Sequence, residues 1–112
     1  MDGIEELISG IDKLVHLLTP SKYWHCKTYT YTDTKEHENE FIDSHTGKKF
    51  KSRHIIIKAP STNTGDINIR FTKAADWDIY ERSESQAMDL KEETTFYLKL
   101  DTANDKVRII AW

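Results

Sequence analysis

The chain has 112 residues, of which 38% are hydrophobic and 31% charged, a composition that fits one domain with a small core. The net charge of −3 comes without a block of one sign, and no apolar run approaches the roughly 20 residues that cross a bilayer. Cys26 is the only cysteine, so no disulfide forms within the chain. We therefore expect a soluble protein made in the cytoplasm, with neither a nucleic acid nor a membrane as its partner.

Residues 1–20 carry the one helix signal, and Pro20 ends the predicted amphipathic helix. Apolar side chains recur at alternating spacings of three and four, as in a heptad seam. Two interpretations are open: the helix packs across a sheet of its own chain, or it joins copies of the chain in a short coiled coil. In the second interpretation the oligomer interface consists of Ile4, Leu7, Ile11, Leu14 and Leu18.

Residues 21–112 have the pattern of an antiparallel β domain. Segments such as 67–72 and 95–100 alternate apolar and polar residues, and turn signals separate them. The segment 40–57 predicts a hairpin, because Gly47 can supply the positive φ that its turn needs. These segments predict a mainly β fold, a β-sandwich or a small barrel of about seven or eight strands.

The segment 107–112 is apolar on both of its faces, with Val107, Ile109 and Ala111 on one and Ile110 and Trp112 on the other. A strand with one solvated face would carry polar residues there. We therefore expect this strand to be central in a sheet, or Trp112 to be covered by the helix or by a second subunit.

The sequence offers no pattern of catalytic, cofactor-binding or metal-binding residues. The histidines are far apart in sequence, whereas structural zinc sites use closely spaced ligands. The neighbours His25 and Cys26 point to opposite faces of a strand, so they do not share an ion. Phosphate-binding glycine motifs are missing as well. These observations predict a protein that is not an enzyme and needs no cofactor.

The aromatic residues, 11% of the chain, suggest a binding surface. An exposed aromatic strip on a sheet stacks sugar rings or anchors a protein partner. The alternative is that the same side chains form the inward face of a sandwich. The candidate ligand or partner face consists of Tyr23, Tyr29, Tyr31, Tyr80 and Tyr97.

Residues 65–112 resemble the small β domains of accessory proteins of tailed phages, found in tails, baseplates and capsids. The resemblance lies in a strand at 67–71, a polar crossing at 77–81 and a closing hairpin formed by 95–100 and 107–112. It implies a non-enzymatic structural protein of a virion that self-associates through its N-terminal helix, as a trimer rather than a dimer. Other virion proteins or a surface glycan are the further partners it implies. The alternative function is a carbohydrate- or protein-binding β-sandwich that uses the tyrosine face.

Overall fold

The computed structural model describes residues 23–112, whose regular structure consists of eight β-strands. The predicted helix over residues 1–20 lies outside these described residues. Within them, no helix has the length and apolar character needed to cross a membrane. The strands are β1 (His25–Thr30), β2 (His37–Glu40), β3 (Ser52–Lys58), β4 (Ile67–Arg70), β5 (Asp78–Tyr80), β6 (Ser85–Glu93), β7 (Thr95–Leu100) and β8 (Lys106–Ala111).

The strands form two four-stranded sheets in which every pairing is antiparallel. The first sheet has the order β1-β8-β3-β6 and the second the order β2-β7-β4-β5. The predicted mainly β fold of seven or eight strands is therefore confirmed for residues 23–112. The small-barrel alternative is wrong, because the strands form two separate sheets instead of one closed sheet.

The hydrophobic core lies between the sheets, and each sheet contributes alternate residues of its strands. The rings of Tyr29 and Phe96 meet edge to face across this core, with centroids 5.4 Å apart. Such alternation is what the pleat of a strand requires when one face is buried. The fully buried large side chains are Phe41, Ile55, Ile57, Ile67, Ile69, Phe96, Leu98, Leu100, Val107 and Ile109.

Strand β8 is central in the first sheet, as its two apolar faces predict. It pairs with β1 on one side and with β3 on the other. Val107, Ile109 and Ala111 have no exposed surface and belong to the core. Ile110 and Trp112 point to the other side of the sheet, where both remain partly exposed.

The predicted closing hairpin is split between the sheets. Strands β7 and β8 do not pair as a closing hairpin, because the chain crosses from the second sheet to the first between them. Asp105 fixes this crossing: its carboxylate accepts hydrogen bonds from the backbone N–H groups of Thr64 (3.0 Å) and Gly65 (2.8 Å). The hairpin predicted within 40–57 is confirmed in a short form: Gly47 has φ 72°, and Ile42 pairs with Lys49 in an antiparallel bridge. Strands β2 and β3 themselves lie in different sheets.

Candidate functional site

The outer face of the first sheet, which points away from the core, carries a row of apolar side chains. The strand register aligns Cys26 with Ile110, Ile110 with Ile56, and Ile56 with Ala87, so the row crosses all four strands. Cys26, Ile110 and Ile56 are partly buried, and Ala87 is exposed. We call these four residues the apolar strip. An apolar row on an outward face is informative because the core between the sheets does not require it.

A second row lies beside the apolar strip at the end of the sheet where β1 begins. Trp24 stacks on Trp112, with ring centroids 5.2 Å apart and planes inclined by 19°. Trp112 stacks in turn on His54 at 5.4 Å, and His54 Nδ1 lies 2.8 Å from a carboxylate oxygen of Asp89. We call Trp24, Trp112, His54 and Asp89 the aromatic corner. Trp24 is 38% exposed, so the row presents a large aromatic surface to its surroundings.

Asp43 positions Trp24 at the edge of the sheet. Its carboxylate accepts hydrogen bonds from the Thr46 hydroxyl (2.6 Å), the Thr46 N–H (2.8 Å) and the backbone N–H of Trp24 (2.9 Å). These bonds favour the ionised form, and they lower the pKa of Asp43 to about 2, with the Thr46 hydroxyl as the largest cause. Gly47 N–H donates to the Asp43 carbonyl (2.8 Å) and closes the same turn. A turn within one loop therefore fixes the start of β1.

Trp112 is held through its backbone. Its N–H donates to the His54 carbonyl at 3.0 Å, and the N–H groups of Arg53 and His54 donate to its backbone oxygen at 2.8 and 3.0 Å. The indole Nε1, in contrast, is enclosed and has no hydrogen-bond partner within residues 23–112. A buried donor without a partner costs about 1–3 kcal/mol. The backbone hydrogen bonds thus hold the indole where its Nε1–H has no acceptor among residues 23–112.

An open groove of about 240 Å³ adjoins the aromatic corner on the side of β6. It combines apolar and polar groups, because methyl and thioether groups lie beside an imidazole and an exposed carboxylate. Binding surfaces commonly combine an apolar centre with polar groups that fix orientation. Its lining residues are His54, Ile55, Ala87, Met88, Asp89 and Trp112.

The five tyrosines do not form a common exposed face. Tyr29 and Tyr80 are in the core, and Tyr97 is only 9% exposed, with its hydroxyl donating to Glu38 at 3.1 Å. Tyr31 packs against the core and stacks on His37, and Tyr23 stacks on Phe50 at 5.4 Å. These tyrosines follow the inward-facing alternative that the sequence left open, except Tyr97, which lies on the outer side of its strand beside Glu38.

The histidines of the described strands have structural contacts of their own. His25 points into the core, where Nε2 lies 2.8 Å from the Tyr29 hydroxyl and Nδ1 lies 2.8 Å from the Ile42 carbonyl. Cys26 points outward, and its sulfur accepts a hydrogen bond from Arg108 at 3.0 Å. Residues 23–112 contain no group of three or more His, Cys, Asp or Glu side chains positioned to hold a metal ion.

The predicted oligomer interface of Ile4, Leu7, Ile11, Leu14 and Leu18 lies outside the described residues. Compared with known proteins, the chain matches no protein family and no curated protein. The candidate site therefore rests on the geometry of the aromatic corner. Sequence reasoning missed this corner, since Trp24 and Trp112 stand at opposite ends of the β domain. The one signal was that the strand 107–112 is apolar on both faces.

Proposed function

We propose that the protein is a non-enzymatic structural protein that assembles with other copies of itself through the aromatic corner and the adjoining groove. The observation that carries this proposal is the stacked, partly exposed row of Trp24, Trp112 and His54 on the outer face of the first sheet. Tryptophan is enriched among the residues that contribute most to protein interfaces, because it offers a large rigid contact area.

The surroundings of the row support a protein contact. The apolar strip continues the apolar surface next to it, and the exposed Asp89 supplies a polar group at its edge. The unpartnered indole Nε1 of Trp112 would gain an acceptor if a small shift of the ring on association opened it to a partner's oxygen atom. In the setting that the phage resemblance implies, such copies build part of a virion, and a trimer is the first oligomer to test.

Light scattering on the whole chain tests the proposal. We expect a mass that is a multiple of 13.1 kDa at micromolar concentration. Ala87→Lys places a charge in the groove, where association would leave it without water or partner, and we expect it to yield monomers. Ser85→Lys is the matched control, since it adds the same charge on the same face of β6 but outside the groove. A wild-type chain that stays at 13.1 kDa would refute the proposal.

A second candidate, glycan binding, is favoured by the same corner. An oligosaccharide lying along the row can stack one sugar ring on the exposed indole of Trp24 and donate hydroxyl hydrogens to Asp89 at the other end of the row. Tryptophan fluorescence on titration with a panel of neutral oligosaccharides separates the candidates. A saturable change that Trp24→Ala abolishes supports glycan binding, whereas its absence together with a multimeric mass supports assembly.

A further inference from the structure

The outer face of the first sheet extends beyond the groove at β6. Along β1 and β8 this face continues past the apolar strip to Arg108, which is aligned with Thr28 on one side and Lys58 on the other. Lys106 follows, aligned with Thr30. Arg108, Lys58 and Lys106 are exposed, and none of the three forms an ion pair within residues 23–112. The face is thus aromatic at one end, apolar in the middle and basic at the other end.

The N-terminal segment has the complementary order of side chains. Residues 1–22 contain four acidic and two basic residues, and three of the acidic ones, Asp2, Glu5 and Glu6, stand at the beginning. The predicted helix then carries its apolar stripe up to Leu18. Read from residue 1, the segment is acidic first and apolar afterwards.

We infer that the apolar strip binds the apolar stripe of the chain's own N-terminal segment, residues 4–18, which runs antiparallel to β1 with its acidic start at the basic end of the face. This inference goes beyond the proposed function, because it assigns the outer face over β1 and β8 to the chain's own segment and leaves the groove at β6 to another copy. It takes the first of the two interpretations that the sequence left open for the helix.

The connection between segment and sheet favours the chain's own segment. Four residues, 19–22, separate Leu18, the last residue of the apolar stripe, from Tyr23. Proline is favoured at the second position of a four-residue reverse turn, which is the place of Pro20 in this stretch. Such a turn would end two residues before Trp24, whose backbone N–H is fixed by Asp43. A reversal there would return the segment over the first sheet, and the short connection would keep its effective concentration there high.

The length of the predicted helix and that of strand β1 are also compatible with this antiparallel arrangement. Leu18 and Ile4 are 14 residues apart, which is about 21 Å along a helix, and Trp24 to Thr30 spans about 20 Å along a strand. With Leu18 above the tryptophan row, Leu14 falls about 6 Å further on, near the apolar strip. The acidic first turns then reach the neighbourhood of Arg108 and Lys106, where opposite charges attract.

The groove at β6 remains open in this arrangement. A helix with its side chains is about 10 Å wide, and strands lie about 4.8 Å apart, so a helix over β1 and β8 covers only about two strands. Ala87 and Asp89 on β6 stay accessible to another copy of the chain. Docking would place the segment over Trp24 and Trp112, so assembly of a docked chain would use the groove at β6 with His54 and Asp89. Each of the two contacts can still fail without the other.

The native Cys26 provides the test, since it lies in the apolar strip and is the only cysteine of the chain. We introduce a second thiol in the apolar stripe by Leu14→Cys and treat the whole protein with a short bismaleimide cross-linker. We expect a cross-link to Cys26 within one chain, read as a monomeric band and a joined peptide pair in mass spectrometry. His16→Cys is the matched control, because residue 16 lies on the opposite side of the predicted helix, and it should cross-link far less.

A second measurement needs no second thiol. Leu14→Asp should detach the segment and increase the rate at which a thiol reagent labels Cys26 several-fold, while His16→Asp leaves the rate unchanged. Ile11→Cys replaces Leu14→Cys if the latter fails to fold. A cross-link that joins two chains, tested at low protein concentration, would overturn the inference in favour of exchange between copies. Equal cross-linking of Leu14→Cys and His16→Cys would overturn docking of the segment. The light-scattering test of assembly with Ala87→Lys does not depend on either of these outcomes.

Discussion

The two faces of β8 differ in burial, although their residues alternate along one strand. On the inner face Val107, Ile109 and Ala111 have no exposed surface and touch the core that the second sheet completes. On the outer face Ile110 and Trp112 are partly exposed and lie in the apolar strip and the aromatic corner. The inner face is packed in the core, and the outer face is the one that we propose for binding. The comparison shows that an apolar side chain on a central strand need not be buried, and that the face decides whether it is.

The largest effect is expected when both faces are removed together. Deleting residues 107–112 takes away a strand that is hydrogen-bonded to β1 and β3 on its two sides. Burial of Val107 and Ile109 alone contributes about 1.5–3 kcal/mol each, and total stability is about 5–15 kcal/mol. We expect an unfolded or insoluble protein, as judged by circular dichroism and solubility. A soluble deletion that melts cooperatively would show that the first sheet does not depend on β8.

Single substitutions on the two faces of β8 should reduce stability by different amounts. Ile109→Ala leaves a cavity in the core and should cost about 2–5 kcal/mol of the free energy of unfolding. Ile110→Ala removes the same atoms from the partly exposed outer face and should cost about 1–2 kcal/mol, since less surface leaves water there on folding. Urea denaturation of the whole chain measures both values. Equal losses would mean that the outer face is packed as tightly as the core.

The strands could be predicted from the sequence better than their pairing. Period-two alternation identified the core positions in 67–71 and 95–100, and the doubly apolar segment 107–112 identified a central strand. Alternation says which residues share a face, but it does not say to which sheet a strand belongs. The closing hairpin was therefore wrong: the chain crosses between the sheets at Asp105, which is fixed by N–H groups 40 residues away in sequence.

The candidate site was less predictable for the same reason. The aromatic corner joins Trp24 to Trp112 through the register of β1 with β8, and no local pattern contains that register. The tyrosines do not identify the binding face, because an aromatic side chain on an alternating strand suits a core as well as a binding face. Tyr29 shows the difference: its ring lies against His25 of the same strand and against Phe96 across the core, and the contact with Phe96 joins distant parts of the chain.

The inner face of the first sheet carries a titratable group, His25. His25 is 3% exposed, and burial, the largest cause, lowers its pKa below the ordinary 6.5. Because the Ile42 carbonyl 2.8 Å from Nδ1 can only accept, we place the proton of the neutral ring on Nδ1. Nε2 is then the acceptor for the Tyr29 hydroxyl, which stays protonated because burial raises the pKa of Tyr29. The folded chain therefore holds a neutral imidazole, and an added proton would sit on a buried ring whose second nitrogen faces a donor.

The sign of the pH dependence follows from the difference between the two states. As the pH falls below about 6.5, the unfolded chain takes up a proton on His25 before the folded chain does, so the free energy of unfolding decreases. Asp43, with its pKa lowered to about 2, stabilises the fold above the ordinary aspartate pKa of about 4 and loses this effect only below it. Urea denaturation at pH 7.5 and 5.5 separates the histidines from Asp43, since both pH values lie above that range, and single substitutions then distinguish His25 from the other histidines. His25→Gln should reduce the difference between the two pH values, and the exposed-site control His45→Gln should keep it. If His25→Gln kept the full difference, another group would have to supply it, and the buried imidazole would have no part in the acid sensitivity of the fold.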